Sequence, residues 1–281
     1  MVNRFVNALE FVKFSHTVFA LPFALMAMWT AGSGRVALPV AGWILACMVT
    51  ARTAAMAFNR LADWESDRLN PRTAGRHRLV SKSGGALLLA VAAGLFIVSA
   101  AQLNRLCLLL SPLALFIILF YSLTKRFTSF SHGFLGLALG LAPVGAWGAV
   151  RGEVCDAVPL TLGAAVWCWV FGFDLIYATL DAEFDRRRGL HSFPARFGVP
   201  RTLRLARALH VLAVAGFFAF GWLAHFSWPY FAAWSLAAAA LVWEHRVADV
   251  TDSAAINRAF FNLNAAVSVI LLAGVVLDTW L

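Results

Sequence analysis

The chain has 281 residues, of which 61% are hydrophobic and only 13% are charged, and its formal net charge is +9. Soluble domains carry about 25% charged residues, so most of this surface is expected to face lipid. A net positive charge is typical of nucleic-acid-binding proteins, but here the basic residues lie in short loops between apolar stretches, the pattern that orients membrane proteins. We therefore expect an integral membrane protein that binds no nucleic acid.

Nine apolar stretches come close to the roughly 20 residues that a transmembrane helix needs. The sequence therefore predicts an all-α membrane protein with about nine transmembrane helices in one bundle. No Pro-, Gly- or Ser-rich linker interrupts the chain, so a single domain is predicted over residues 1–281. The predicted spans are residues 14–31, 37–62, 84–103, 105–123, 131–150, 158–181, 203–224, 228–244 and 259–280.

The distribution of Lys and Arg predicts how the chain is oriented, because cytoplasmic loops are enriched in these residues. Of the 23 Lys and Arg residues, only Arg35, Arg105 and Arg151 fall on the side opposite to the amino terminus, and Arg52 lies inside the second span. The amino terminus is therefore expected in the cytoplasm, and Leu281, after nine spans, outside. The expected location is a bacterial inner membrane, crossed many times, with the acidic loops on the cytoplasmic side.

The first acidic segment follows the second span. Asn59, Asp63 and Asp67 are four residues apart, so a continuous helix would stack them on one face, and Arg52 lies on the same stripe. Two carboxylates and an amide are suitable oxygen ligands for Mg²⁺, which usually completes its shell with water and substrate phosphates. The segment is therefore a candidate half of a magnesium-diphosphate site.

The second acidic segment follows the sixth span. Asp174, Tyr177, Asp181 and Asp185 are three, four and four residues apart, which again places them on one helical face. Asp174 lies within an apolar run, and an ionisable residue at membrane depth marks a functional site by default. Two such stripes that face each other would hold metal ions between four carboxylates, an arrangement that binds a diphosphate.

Each segment taken alone is explained equally well as a solvated helix end with ion pairs between residues four apart. Tyr177 alone is equally well explained as an interfacial aromatic residue. Both segments lie on the same side of the membrane, each at the end of an apolar span, and this coincidence favours the metal site. The seven histidines are scattered without ligand spacing, so none is assigned to a metal site.

Two runs of sequence resemble the signature motifs of the UbiA-type superfamily of membrane aromatic prenyltransferases. They are NRLADWESDRLNPRTAGR at residues 59–76 and GFDLIYATLDAEFDRRRGLHSFPARFG at residues 172–198. The stretches FVKFSHTVFALPFA, YSLTKRFT, WEHRVAD and FFNLNAAVSV extend the resemblance over essentially the whole chain. Within the superfamily the chain is most similar to the 4-hydroxybenzoate polyprenyltransferase branch. The segment GLHSFPARFG is closer to bacterial members assigned to the futalosine route of menaquinone synthesis.

The resemblance implies a magnesium-dependent enzyme that transfers a polyprenyl group from polyprenyl diphosphate to a hydroxylated aromatic carboxylate, in a cavity among the helices. The implied acceptor is 4-hydroxybenzoate or 1,4-dihydroxy-6-naphthoate, for ubiquinone or menaquinone synthesis, and GLHSFPARFG favours the naphthoate. The implied site residues are Asp63, Asp67, Asp181 and Asp185 as catalytic metal ligands, Asn59 as a further ligand, Arg72, Arg76, Lys125 and Arg126 as diphosphate contacts, and Arg52, Asp174 and Tyr177 as candidate substrate contacts.

Several other protein classes are also consistent with parts of the sequence. Haem O synthase and chlorophyll synthase belong to the same superfamily but are less similar in the second motif. A secondary transporter would also carry charges within the membrane. A CDP-alcohol phosphotransferase would also use aspartate-rich magnesium motifs, but its DGxxAR signature is absent. Arg52 has three candidate partners: the acceptor carboxylate, the diphosphate and Asp174.

Overall fold

Helices make up the regular structure throughout the part of the chain that is described. The computed structural model describes residues 7, 10–13, 17, 19–69, 75, 79–248 and 253–281, and of residues 66, 247–248 and 253–260 it describes the backbone alone. The long helices are α1 (Leu21–Ala31), α2 (Leu38–Ala62), α4 (Lys82–Leu103), α5 (Arg105–Thr124), α6 (Ser131–Arg151), α7 (Ala157–Ala178), α10 (Val199–Leu223), α11 (Trp228–Ala248) and α12 (Ser253–Trp280). Three short helices, α3 (Trp64–Leu69), α8 (Ala182–Arg187) and α9 (Phe193–Phe197), lie between them.

Within the described residues, each of these nine helices overlaps one predicted span, and the all-helical membrane fold is confirmed. Among the described residues, seven helical segments are long and apolar enough to cross a bilayer: α2, α4, α5, α6, α10, the stretch Ala157–Arg187 that includes α7, and the Phe261–Trp280 part of α12. Helix α1 is apolar but has only 11 residues, and α11 is not among the seven. The number of nine crossings therefore stays a prediction.

Local sequence signals explain where several helices begin and end. Pro39 lies in the first turn of α2, where its missing N–H costs no intrahelical bond. The side chains of Ser81, Asn104 and Asp156 accept hydrogen bonds from the first turns of α4, α5 and α7. Helix α6 ends at Gly152, whose φ of 74° is in the left-handed region that glycine adopts without strain. These signals mark where the helices of the bundle begin and end.

The helices pack largely in chain order. Helices α2, α4, α5, α6, α7, α10, α11 and α12 each contact the next, and α12 contacts α1. Helix α1 also packs against α6, and its Phe23 is fully buried between Trp169 of α7 and Phe217 of α10. Helices α2, α5 and α7 run in one direction and α6 runs in the other, so the carboxyl ends of the first three lie beside the amino end of α6 at one end of the bundle, here called the aspartate end.

Helices α6 and α7 touch through glycine. A Cβ atom on Gly140 of α6 would lie 2.7 Å from the Gly163 carbonyl oxygen, and one on Gly163 of α7 would lie 2.8 Å from the Gly140 carbonyl oxygen. Small residues allow such close backbone approach, which drives helix association in membranes. The close approach continues towards the aspartate end, where a Cβ atom on Gly136 of α6 would lie 2.7 Å from the Trp167 carbonyl oxygen of α7.

Candidate active site

A polar cavity of about 280 Å³ lies at the aspartate end, between α2, α5, α6 and α7. It brings residues of both acidic segments together, although more than 100 residues of sequence separate them. Of the predicted site residues, those that line this cavity are Arg52, Asn59, Asp63, Lys125, Asp174, Tyr177 and Asp181.

The first acidic segment follows a helix with one break. Helix α2 ends at Ala62 and α3 begins at Trp64, but the Asp67 backbone N–H still donates to the Asp63 carbonyl across 2.7 Å. Asn59 Nδ2 lies 3.5 Å from Asp63 Oδ2, and both residues line the cavity. Asp67 does not line it; its Oδ2 lies 3.3 Å from Nη1 of the buried Arg60. Asn59 and Asp63 therefore line the cavity together, whereas Asp67, predicted on the same face, lies outside its lining.

The environment of Asp63 favours a bound cation. Burial, and secondarily the nearby Asp67 carboxylate, raise the pKa of the Asp63 carboxyl to about 6, although Lys125, Arg126 and Arg60 act in the opposite direction. A raised carboxyl pKa means that the ionised form lacks sufficient compensation from its surroundings. A metal ion beside Asp63 would supply the positive charge that stabilises the ionised carboxylate.

The second acidic segment departs from one continuous helical stripe. Helix α7 ends at Ala178, and residues Thr179–Asp181 form a 3₁₀ turn before α8. Because a 3₁₀ turn has about 3.0 residues per turn instead of 3.6, it rotates the residues that follow. Asp181 lines the cavity, but Asp185 does not; it is 1% exposed, and its Oδ1 lies 2.8 Å from Lys125 Nζ. The expectation of one continuous helical stripe through Asp174, Tyr177, Asp181 and Asp185 was therefore wrong, although the first three residues line the same cavity.

The predicted diphosphate contacts have different positions. Lys125 follows the end of α5 and lines the cavity. Arg126 does not line it, because its guanidinium donates to the Ala62 carbonyl oxygen at 2.6 Å and so caps the end of α2. Arg72 and Arg76 lie outside the described residues.

A histidine with no assigned role lies in the cavity wall. His132 Nδ1, in the first turn of α6, lies 2.6 Å from Asp174 Oδ2 on α7. Residue spacing could not reveal this pair, because the contact depends on how α6 packs against α7. The one signal in the sequence was Asp174 itself, since a carboxylate at membrane depth needs a partner.

Arg52 lies where the polar cavity meets a second, apolar cavity. Its Nε is buried and has no hydrogen-bond partner among the described residues. The apolar cavity, of about 190 Å³, lies between α2, α4, α5 and α6 and is lined by side chains such as Ile44, Phe96 and Ile118. Both cavities share Arg52, Tyr121, Leu135 and Leu139.

The chain matches the model of the UbiA prenyltransferase family over residues 20–266. The chain belongs to this family. A 4-hydroxybenzoate octaprenyltransferase of Burkholderia pseudomallei (strain 668) is 30% identical to it over 271 residues, which are 94% of this chain and 93% of that protein. A mitochondrial 4-hydroxybenzoate polyprenyltransferase of Arabidopsis thaliana is 33% identical over 180 residues, which are 63% of this chain and only 43% of that protein.

Solved UbiA structures share the fold. The apo structure of a UbiA homolog from Aeropyrum pernix K1 superposes with a TM-score of 0.85 at 37% identity, covering 94% of this chain and 98% of the other. A homolog from Archaeoglobus fulgidus, solved with GPP and Mg²⁺, gives a TM-score of 0.71 at 20% identity, covering 96% and 99%. Membership of a prenyltransferase family removes the transporter and the CDP-alcohol phosphotransferase as alternatives.

The ligand atoms in the cavity suit a magnesium ion that is shared with a substrate. Within the described residues, no group of three or more His, Cys, Asp or Glu side chains is arranged to hold a metal ion alone. Mg²⁺ commonly binds through one or two carboxylates plus water and substrate phosphates. Asn59, Asp63 and Asp181, which line one cavity, fit such a site. The described carboxylates do not form a cage of four around one point, and the assignment of metal ligands stays a prediction.

Proposed function

We propose that this UbiA-family protein transfers a polyprenyl group from a polyprenyl diphosphate to a hydroxylated aromatic carboxylate. The observation that carries the proposal is a polar cavity with the carboxylates of Asp63 and Asp181 that shares its wall with an apolar cavity. A diphosphate with its metal ion suits the polar part, and an isoprenoid chain suits the apolar part. The two adjoining cavities together therefore suit a donor that is charged at one end and apolar at the other.

The diphosphate binds at the aspartate end. Asn59, Asp63 and Asp181 would hold Mg²⁺, and the bound ion would supply positive charge to the diphosphate leaving group. Lys125 adds a positive charge on the same cavity wall. The remaining predicted residues, Asp67 and Asp185 as ligands and Arg72, Arg76 and Arg126 as diphosphate contacts, complete this proposal.

The prenyl chain lies in the apolar cavity. Side chains such as Ile44, Phe96 and Ile118 offer it a surface without charge, and Arg52 stands at the junction with the polar cavity. Because such a surface excludes water from the reactive carbon, the allylic cation meets the aromatic ring before it meets water. Ring faces nearby also attract a cation.

Arg52 binds the carboxylate of the acceptor. A guanidinium forms paired, charge-assisted hydrogen bonds with a carboxylate, and the buried Nε of Arg52 lacks a hydrogen-bond partner among the described residues. Tyr177 and Asp174 line the same cavity and are the candidate contacts for the rest of the acceptor. The site thus offers a cation to one end of the acceptor and polar groups to the other.

The acceptor is 1,4-dihydroxy-6-naphthoate or 4-hydroxybenzoate. The segment GLHSFPARFG supports the naphthoate, whereas the curated relatives named above act, by their names, on 4-hydroxybenzoate. Neither acceptor conflicts with a cationic Arg52. We therefore keep the naphthoate as the favoured acceptor and test both together.

The test is a competition assay with purified protein in lipid nanodiscs, a polyprenyl diphosphate and equal concentrations of both acceptors, with products identified by mass. Prenylated naphthoate as the main product supports the proposal in its narrower form. A far higher kcat/KM for 4-hydroxybenzoate rejects the naphthoate and keeps the enzyme class. Reaction with a quinol or haem but with neither carboxylate contradicts the proposal. A parallel reaction with EDTA tests the metal dependence.

A further inference from the structure

The pair formed by His132 and Asp174 lies in the cavity wall but has no role in the donor binding described above. His132 is in the first turn of α6 and Asp174 is four residues before the end of α7. Their side chains are 7% and 22% exposed, respectively. Asp174 is therefore the member of the pair that offers accessible surface to a molecule in the cavity.

The hydrogen-bond pattern fixes the roles of the two side chains. An ionised carboxylate can only accept, so the 2.6 Å contact requires His132 Nδ1 to donate to Asp174 Oδ2. His132 Nε2 is buried and has no partner in the described part of the chain. The neutral imidazole with its proton on Nδ1 avoids a buried, unpaired N–H at Nε2. His132 therefore holds one carboxylate oxygen of Asp174 and leaves the exposed part of that group to the cavity.

We infer that Asp174 accepts the hydroxyl proton of the aromatic acceptor and that His132 is a positioning residue that orients Asp174 for this step. The inference rests on the proposed function, because it needs an acceptor with an acidic hydroxyl. General bases must lie within hydrogen-bond reach of the proton that they remove. A carboxylate held by a histidine on one oxygen keeps a fixed direction for the other, as such supporting contacts do elsewhere.

The position of Asp174 along α7 agrees with this role. Asp181, at the proposed diphosphate end, is seven residues further on, which is about 12 Å along the axis, since the α-helical residues rise about 1.5 Å each and the three residues of the 3₁₀ turn about 2.0 Å each. The reacting carbon of the donor and the aromatic ring fit between these two levels. Asp174 thus contacts the acceptor, whereas Asp181 faces the diphosphate.

The chemistry balances without an oxidant or reductant. The hydroxyl proton moves to Asp174, and the allylic C–O bond breaks with its electron pair on the diphosphate. The ring carbon next to the oxygen forms the new C–C bond, which leaves a ring ketone. The hydrogen on that carbon then leaves as a proton to the diphosphate, and Asp174 returns its proton to the oxygen, which restores the aromatic ring.

The test measures kcat and KM for aromatic prenylation by H132L, H132N, D174N and the double variant H132L/D174N, with the acceptor that the wild-type enzyme prefers. D174N is expected to lower kcat by about 100-fold or more, the usual range for loss of a general base. H132L is expected to lower kcat about tenfold with an unchanged KM for the donor, because it removes the support and not the base. H132N keeps an N–H donor at the position of Nδ1 and should stay within about threefold of wild type.

The double variant separates a positioning role from an independent one, since residues that act through one another show non-additive effects. If His132 acts through Asp174, H132L/D174N should be no slower than D174N. The control is H225N. His225 follows α10 at the end remote from the candidate site, and asparagine tolerates its φ of 57°. Wild-type kcat in H132L, or additive losses in the double variant, would overturn the inference. A wild-type protein that prenylates neither carboxylate contradicts the proposed function instead.

Discussion

Replacing Lys125 by Met tests the ion pair that joins the second acidic segment to the end of α5. Lys125 Nζ lies 2.8 Å from Asp185 Oδ1, and the Asp185 side chain is 1% exposed. Breaking a buried ion pair by removing one partner costs about 3–5 kcal/mol, because the other charge stays buried without compensation. The Lys125 side chain is 36% exposed, so solvent screens part of this interaction. We therefore expect K125M to lower the free energy of unfolding by about 2 kcal/mol.

The assay is thermal unfolding in detergent with EDTA. A loss of about 2 kcal/mol corresponds to a fall in Tm of about 4–8 °C for chains of this size range. The double variant K125M/D185N should recover most of this loss, since it removes the uncompensated charge. K82M is the matched control, because Lys82 is exposed at the start of α4 and its loss should leave Tm unchanged.

Added Mg²⁺ and inorganic diphosphate provide the second half of the test. If Asp185 is a metal ligand, the ion supplies the cation that K125M lacks, and ligand binding stabilises the folded state by linkage. The difference in Tm between K125M and wild type should then shrink. An unchanged Tm for K125M in EDTA would refute the stabilising role of the pair. A difference that persists with Mg²⁺ and diphosphate would refute Asp185 as a metal ligand.

Three further predictions concern the site and the topology. D63A and D181A should lower prenyl transfer by about 100-fold or more while the protein still inserts and melts normally, because each removes a proposed metal ligand; near wild-type turnover in both would remove the site assignment. R52Q should raise the KM of the acceptor about tenfold or more, as expected for a lost charge-assisted hydrogen bond, without changing the KM of the donor. R105Q, at the opposite end of the bundle, serves as its control. An unchanged acceptor KM for R52Q would argue against the carboxylate contact. Reporter fusions should read cytoplasmic after Lys82, Arg126 and Arg196 and periplasmic after Leu281, and a cytoplasmic signal at Leu281 would contradict nine crossings.

The helices could be predicted from the sequence because the bilayer imposes their length and apolar character. The predicted span 105–123, for example, differs from α5 (Arg105–Thr124) by one residue. Which residues of a helix face the cavity was harder to predict. An apolar helix carries no polar face that would mark its inward side, so the orientation had to come from the few charged residues alone.

The positions of the candidate residues were predicted where helical periodicity holds and were mispredicted where it fails. Asn59 and Asp63 lie within or directly after α2, and both line the cavity as one helical face would place them. Asp185 follows a 3₁₀ turn that the neighbouring residues do not predict. Its ion pair with Lys125 was therefore not predicted either. The bond from His132 to a carboxylate 42 residues away depends on tertiary packing, to which residue spacing is blind.

The glycine contact between α6 and α7 also limits how these helices can move. Their backbones cannot approach further at Gly140 and Gly163, because the carbonyl of each occupies the space next to the other's Cα. A tilt about this point that separates the two helices at the aspartate end is one relative motion that the contact leaves possible. Asp174 lies 11 residues from Gly163, about 16 Å along the helix, so a tilt of about 5° would displace it by about 1.4 Å at that distance. Such a displacement is enough to break its hydrogen bond to His132. The length of that bond therefore depends strongly on the angle between the two helices.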